Sequence, residues 1–302
     1  MEYTIAVYTD AGIQKAANQD SLCLRRAAAP DGEVAFCAVC DGMGGLQKGE
    51  LASAEMIRAL EAWFDSNLEL LAAALDFTQA RSQLLDLIAH QNQRLAAYAA
   101  ANHVQMGSTL ALLLAVGHRY LTVHVGDSRI YQIKGGRAIQ LTQDQSLVEL
   151  EIQQGRISRE EARHHPQRNV LLQCVGVGRE ITPGFTEGSL ENEGIYLLCS
   201  DGLCHELTDT ELAQRLEPQS LGDRRALQDA LIDLTERCKT RGETDNITAV
   251  AIRCRETAVA EAAPGSFWQR LLGRQPPASP GPPTTISPLE SAHILHTDEQ
   301  IS

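Results

Sequence analysis

Ala35-Phe36-Cys37-Ala38-Val39-Cys40-Asp41-Gly42-Met43-Gly44-Gly45 is an apolar run of strand length that stops in an aspartate followed by three glycines within four residues. Asp and Gly are depleted inside strands, so the strand is expected to end at Asp41. Glycine has no Cβ, so its backbone takes unusual angles and its carbonyl can approach a bound ion closely. A carboxylate at a strand end beside bare backbone is a seat for a hard cation. It is also what an ordinary Asp-Gly turn looks like. Recurrence of the same event elsewhere in the chain separates the two readings.

It recurs four times. Leu121, Val123 and Val125 alternate with Thr122 and His124, and the run ends at Gly126-Asp127-Ser128-Arg129. Ile195-Tyr196-Leu197-Leu198-Cys199 ends at Ser200-Asp201-Gly202. Asp245-Asn246 opens the strand Ile247 to Ile252, and Asp20 opens the strand Ser21 to Arg26. A sheet can gather such ends at one edge. Gathered carboxylates repel unless a cation neutralises them. Oxygen-only ligands suit magnesium or manganese rather than zinc or copper. Two such ions about 4 Å apart can share a water, lower its pKa and aim it at phosphorus.

Further strands are expected at Tyr3 to Thr9, Ser108 to Val116, Ile130 to Ile133 and Ala138 to Leu141, the last two joined through Gly135-Gly136 as a two-residue hairpin. Apolar residues at helical spacing predict helices over Ala52 to Phe64, Gln79 to Ala101 and Leu221 to Lys239. Thr208 with Glu211 reads as the capped start of another. Thr142 to Gly178 is polar, with two short helical patterns and a capping box at Ser158 and Glu161. It reads either as a mobile flap or as a surface insertion. Seven of the eleven prolines fall between Pro264 and Pro288, so residues 256–302 are expected to be a disordered Pro/Ser/Thr-rich tail behind a folded domain of residues 1–255. Phe267-Trp268-Gln269-Arg270-Leu271-Leu272 is an apolar island in that tail, either a partner-binding turn of helix or a stray one.

Composition excludes several function classes. A net charge of −13 argues against a nucleic-acid partner, which needs a basic face. No run approaches the ~20 apolar residues of a membrane span. The start Met1-Glu2-Tyr3-Thr4 lacks the pattern of a signal peptide. The eight cysteines lie in or beside apolar runs and are expected to be reduced core residues of a cytoplasmic protein. Cys37 and Cys40 have zinc-ligand spacing but no second pair, and they sit inside a strand. The nearest approach to a cysteine-phosphatase loop, Cys174-Val175-Gly176-Val177-Gly178-Arg179, has four residues between Cys and Arg where five are needed. No P-loop occurs.

Taken in order, the motifs resemble those of the bacterial metal-dependent protein serine/threonine phosphatases of the 2C type. They are Asn18-Gln19-Asp20, Val39 through Gly45, Gly107-Ser108-Thr109, Val125 through Arg129, Leu141 through Leu147, His165 through Asn169, Leu198 through Leu203, and Asp245 through Thr248. The resemblance spans residues 1–254. It implies an α+β fold, a four-layer α-β-β-α sandwich with two stacked antiparallel sheets and helices on both outer faces. It implies hydrolysis of phosphoserine and phosphothreonine in proteins with two Mn2+ or Mg2+ ions and a weaker third. Asp41 would bridge both metals with the Gly42 carbonyl on one. Asp201 and Asp245 would complete the other, and Asp127 with Asp201 would hold the third. Asp20 would orient metal-bound water, and residues 142–178 would be the flap. Phosphoprotein substrates and a cognate serine/threonine kinase follow from the same resemblance, and a monomer is expected.

Four departures bear on activity. Lys15 stands where the family usually carries a phosphate-binding Arg, and a lysine cannot make the two-pronged contact. Gln19 replaces a common Glu, and His205 stands where an Asp commonly follows Asp201-Gly202-Leu203. Met43 replaces the histidine that eukaryotic relatives use as a general acid, and methionine has no proton to donate. The competing reading is a pseudophosphatase, the same fold kept as a phosphoprotein-binding regulatory module. The three polar departures favour it and the five aspartates oppose it.

Overall fold

Seven consecutive residues of the strand Gly32–Asp41, Val34 to Cys40, are fully buried, and all seven of the strand Leu110–Val116 are buried. A strand apolar on both faces must be covered on both, so its sheet cannot lie against solvent. The structure, a computed structural model, describes residues 1–29, 32–43, 48–73, 77–256 and 288–294. In chain order its elements are β1 (Glu2–Asp10), β2 (Asp20–Ala29), β3 (Gly32–Asp41), α1 (Gly49–Ala73), α2 (Phe77–Asn102), β4 (Leu110–Val116), β5 (Arg119–Val125), β6 (Arg129–Lys134) and β7 (Arg137–Gln140). There follow α3 (Leu147–Gln153), α4 (Arg159–Arg163), β8 (Gly184–Ser189), β9 (Ile195–Cys199), α5 (Asp201–Cys204), α6 (Asp209–Arg215), α7 (Arg224–Arg241), β10 (Ile247–Arg255) and β11 (Pro288–Ile294).

The strands form two antiparallel sheets. One has the order β1-β10-β9-β6-β7, the other β11-β2-β3-β4-β5-β8. Three apolar layers hold four structural layers together. Between the sheets lie Ile5, Leu22, Val39, Leu113, Tyr196 and Ile252. Outside the six-stranded sheet, α1 and α2 pack Met56, Leu60, Leu84 and Ile88 onto Phe36, Leu112 and Leu114. Phe36 sits between Trp63 and Phe64, with ring centroids 5.7 and 5.2 Å away. Outside the other sheet, Leu203, Leu212, Leu227 and Leu231 of α5, α6 and α7 cover Tyr131, Leu197 and Ala251. The expected four-layer sandwich is the fold observed.

Local signals explain the turns. Gly135 and Gly136 join β6 to β7 with φ of 58° and 71°, the left-handed angles that a two-residue hairpin requires. Both expected capping boxes are present, Ser158 with Glu161 and Thr208 with Glu211. Leu85, expected on the apolar side of α2, is 42% exposed.

Two strands escaped the sequence. β8 reads Gly-Phe-Thr-Glu-Gly-Ser, with no apolar run, and its pairing with β5 alone makes it a strand. β11 lies inside the tail expected to be disordered. Residues 288–294 instead pair antiparallel with β2, Ala292 opposite Leu24 and Ile294 opposite Leu22. Main-chain pairing to an open sheet edge needs no apolar pattern, so composition gave no sign of it. The glycines 44 and 45, the proline-rich stretch and the apolar island Phe267 to Leu272 lie outside the described residues.

Candidate active site

The antiparallel register sets Asp20, the first residue of β2, directly opposite Asp41, the last of β3. In the other sheet β9 and β10 are neighbours, so Asp201, two residues beyond β9, and Asp245, two before β10, come to the same end. Asp127 lies in the short link between β5 and β6, which connects one sheet to the other. Asp41, Asp127, Asp201 and Asp245 line one cleft of about 450 Å3 with Lys15, Met43, Thr109, Asn169 and Leu171. Asp20 is fully buried behind it.

Backbone and hydroxyl contacts fix each carboxylate. Asp41 donates its N–H to Thr109 Oγ1 at 2.9 Å, and its carbonyl accepts from Thr109 N at 2.9 Å. Thr109 Oγ1 also shares a 2.7 Å hydrogen bond with Ser128 Oγ, which ties Asp41 to the Asp127 link. Ser200 Oγ donates to Asp20 Oδ2 at 2.9 Å and accepts from Thr248 N at 2.9 Å, joining the two sheets behind the cleft. Asn246 clamps the loop that carries Lys15. Its Nδ2 donates to the carbonyls of Ala11 and Ala17, and its Oδ1 accepts from Gln19 N. Gly42 allows a close backbone approach: a Cβ there would lie 2.3 Å from the Gly49 carbonyl and 2.5 Å from that of Gln19.

Electrostatics mark the cluster as incomplete without positive charge. Burial, then the neighbouring Asp20, Asp201, Asp245 and Asp127, pushes Asp41 well above the usual carboxylate range. Burial, then Asp201 and Asp144, does the same to Asp127. Asp20 is pushed up to about 7 by burial, with Asp201 and Asp245 adding to it and hydrogen bonds from Thr248 and Ser200 opposing. Asp20 Oδ1 and Asp201 Oδ1 are buried with no hydrogen-bond partner among the described residues. Buried orphan oxygens on mutually repelling carboxylates fit hard divalent cations in both charge and donor type.

Each aspartate singled out from the sequence therefore reaches one place. Lys15 does too, but its Nζ lies on Asp245 Oδ1 at 2.9 Å. His205 is the residue whose part the sequence left undefined. It follows Asp201 by one turn of α5, with Nδ1 3.7 Å from Asp201 Oδ2. Ligand atoms of Asp127, Asp201 and His205 all lie within 4.8 Å of one another. The i, i+4 spacing after Asp201 was the available signal.

Residues 142–178 stand beside this cleft, with Asn169 and Leu171 in its lining. The segment is anchored at both ends. Arg129 forms an ion pair with Asp144 at 2.6 Å, and Ser108 and Val175 exchange backbone hydrogen bonds of 2.9 and 2.8 Å. Asn92 of α2 accepts from Gly176 N at 2.8 Å.

A sequence model of the family Protein phosphatase 2C matches residues 11–250. The serine/threonine protein phosphatase PstP of Mycobacterium tuberculosis is 33% identical over 251 residues, which cover 81% of this chain and 44% of PstP, so the chain spans less than half the length of that relative. Protein phosphatase PhpP of Streptococcus pneumoniae is 30% identical over 255 residues, 83% of this chain and 98% of PhpP. Among solved structures, the Streptococcus agalactiae serine/threonine phosphatase superposes with a TM-score of 0.72 at 28% identity, covering 84% of this chain and all of that one. The catalytic domain of PstP in complex with two manganese ions gives a TM-score of 0.68 at 29% identity, covering 84% of this chain and 99% of that one. An ordered set of strand-end aspartates, a four-layer sandwich that gathers them and a family match across most of the chain agree, and the chain belongs to the protein phosphatase 2C family.

Proposed function

We propose that this protein hydrolyses phosphoserine and phosphothreonine in proteins, reversing the work of a serine/threonine kinase, with water as the nucleophile. The convergence of five aspartates, four lining one cleft and Asp20 buried behind it, two of them with orphan buried oxygens, is the observation that supports the reading most. Asp41, the Gly42 carbonyl, Asp201 and Asp245 would hold two Mn2+ or Mg2+ ions. Asp127 and Asp201 would hold a weaker third, with His205 lending it an imidazole nitrogen. Bound there, such ions supply charge neutralisation and a water acidic enough to attack at neutral pH.

The rest belongs to this chain's own residues. Asp20, its Oδ2 held by Ser200, orients the attacking water through its other oxygen, Oδ1. Lys15 meets the substrate phosphate with a single ammonium. Met43 in the cleft wall contributes no proton, so the departing serine or threonine oxygen is protonated by solvent. Asn169 and Leu171 of the 142–178 flap present a surface to the peptide around the phosphate. No helix among the described residues is long and apolar enough to cross a membrane. We take the protein to act as a cytoplasmic monomer.

The test is phosphate release from phosphothreonine and phosphotyrosine peptides with added Mn2+. Turnover of the phosphothreonine peptide, dependent on Mn2+, is expected. Asp41→Asn and Asp201→Asn should each lower it about 100-fold or more while circular dichroism stays unchanged. Folded protein without release at any Mn2+ concentration would favour the phosphoprotein-binding module instead.

A further inference from the structure

Lys15 is the sole basic residue among the described residues that line the carboxylate cleft. Its ammonium rests on Asp245 Oδ1 at 2.9 Å, with both side chains 28% exposed. Asp41 and Asp201 add to the attraction from the same cleft. The loop beneath is fixed by Asn246, the residue next to Asp245, through bonds to Ala11, Ala17 and Gln19. Gly12 tightens that junction, since a Cβ there would lie 2.2 Å from the Asp245 carbonyl. The backbone origin of Lys15 is thus tied to the backbone of Asp245, while its partly exposed four-carbon stem carries the rotatable bonds that a change of partner needs.

We infer that Lys15 is a resident counter-ion that competes with divalent cation for Asp245, and that cation loading releases it to meet the phosphate. The inference rests on the phosphatase reading, because it needs Asp245 to be a cation ligand. Asp245 Oδ1 accepts the ammonium at 2.9 Å and also Asn246 N at 2.8 Å, so both of its lone pairs are engaged and neither is left for a metal while Lys15 stays. The two positive charges also repel across a few ångströms. An empty cleft therefore holds its lysine on Asp245, and a loaded cleft presents a free ammonium beside it. Phosphate capture by this side chain becomes conditional on metal, and the coupling runs equally in both directions. An Arg here, with its wider fork, would keep the same charge and the same competition.

The experiment is calorimetric titration of Mn2+ into the full chain as wild type, Lys15→Met and Lys15→Arg, with a crystal structure of the Mn2+-soaked wild type. Lys15→Met is expected to bind Mn2+ about three- to tenfold tighter than wild type, the scale of one removed competing charge at a partly exposed site. Lys15→Arg is expected to stay within about twofold of wild type, because the charge is retained. In the soaked crystal Lys15 Nζ should lie beyond hydrogen-bond reach of Asp245. Equal Mn2+ affinity in wild type and Lys15→Met would overturn the inference and leave the phosphatase reading standing. So would a Lys15 to Asp245 contact retained beside bound Mn2+. Failure of all three proteins to bind Mn2+ would remove both.

Discussion

At the residue scale, the cleft aspartates work against the fold that carries them. Asp20 holds its proton to about pH 7 in the folded chain, against an ordinary value near 3.8. Between those values the folded state binds more protons than the unfolded one, so metal-free stability falls as pH rises through that window. We expect thermal melts in chelator to show the midpoint dropping from pH 5 to pH 7.5, and added Mn2+ to reverse the drop by binding the folded state. Asp41→Asn should raise the metal-free stability at pH 7.5 by roughly 1–3 kcal/mol, the scale of one relieved buried polar group, while removing turnover. A destabilised Asp41→Asn protein would mean that the carboxylate serves the architecture and not a ligand. These aspartates were legible in sequence because each stands at the start or the end of an apolar strand run, a pattern that charge alone makes conspicuous. The contact between Lys15 and Asp245 was not, since it depends on where a loop 230 residues away in the chain comes to rest.

At the element scale, capping boxes were the most readable local signal and they carry a measurable share of the five-stranded side. Thr208 Oγ1 accepts from Glu211 N at 3.2 Å, and Glu211 returns a bond from Thr208 N at 2.9 Å. Glu211 also takes Arg241, in the last turn of α7, so one carboxylate joins the start of α6 to the end of α7. Arg241, then the bonds from Thr208, lowers Glu211 to about 2. Its stabilising contribution is present above the ordinary Glu value near 4.5 and is lost as pH falls from there toward 2. Thr208→Ala should cost about 1 kcal/mol in urea unfolding at pH 7. Glu211→Gln should flatten the loss of stability below pH 4.5, and an unchanged acid limb would show that the pair is screened away by solvent. The cap was legible because its partners are three residues apart. The link to Arg241 was not, nor were β8 and the four-residue α5, which exist only because neighbouring elements complete them.

At the scale of the whole molecule, the question is what covers the outer edge of β2, since β1, β7 and β8 end their sheets with no further strand beside them among the described residues. β2 has Leu22, Cys23 and Leu24 buried in succession, so its outer edge offers unpaired backbone beside a core strand. β11 closes that edge, with Ile294 opposite Leu22, two residues from Asp20. An uncovered edge of this kind pairs with whatever extended chain it meets. Truncation after Arg255 removes β11 but none of the cleft residues. We expect the truncated chain to keep wild-type turnover on a small phosphothreonine peptide in Mn2+. We also expect it to elute at a larger, concentration-dependent mass in light scattering, as β2 edges pair between copies. A truncated chain that stays at the mass of the intact one would mean the β2 edge needs no cover. Loss of turnover on the small peptide would instead make residues 288–294 part of the catalytic unit, acting on Asp20 through the strand that carries it.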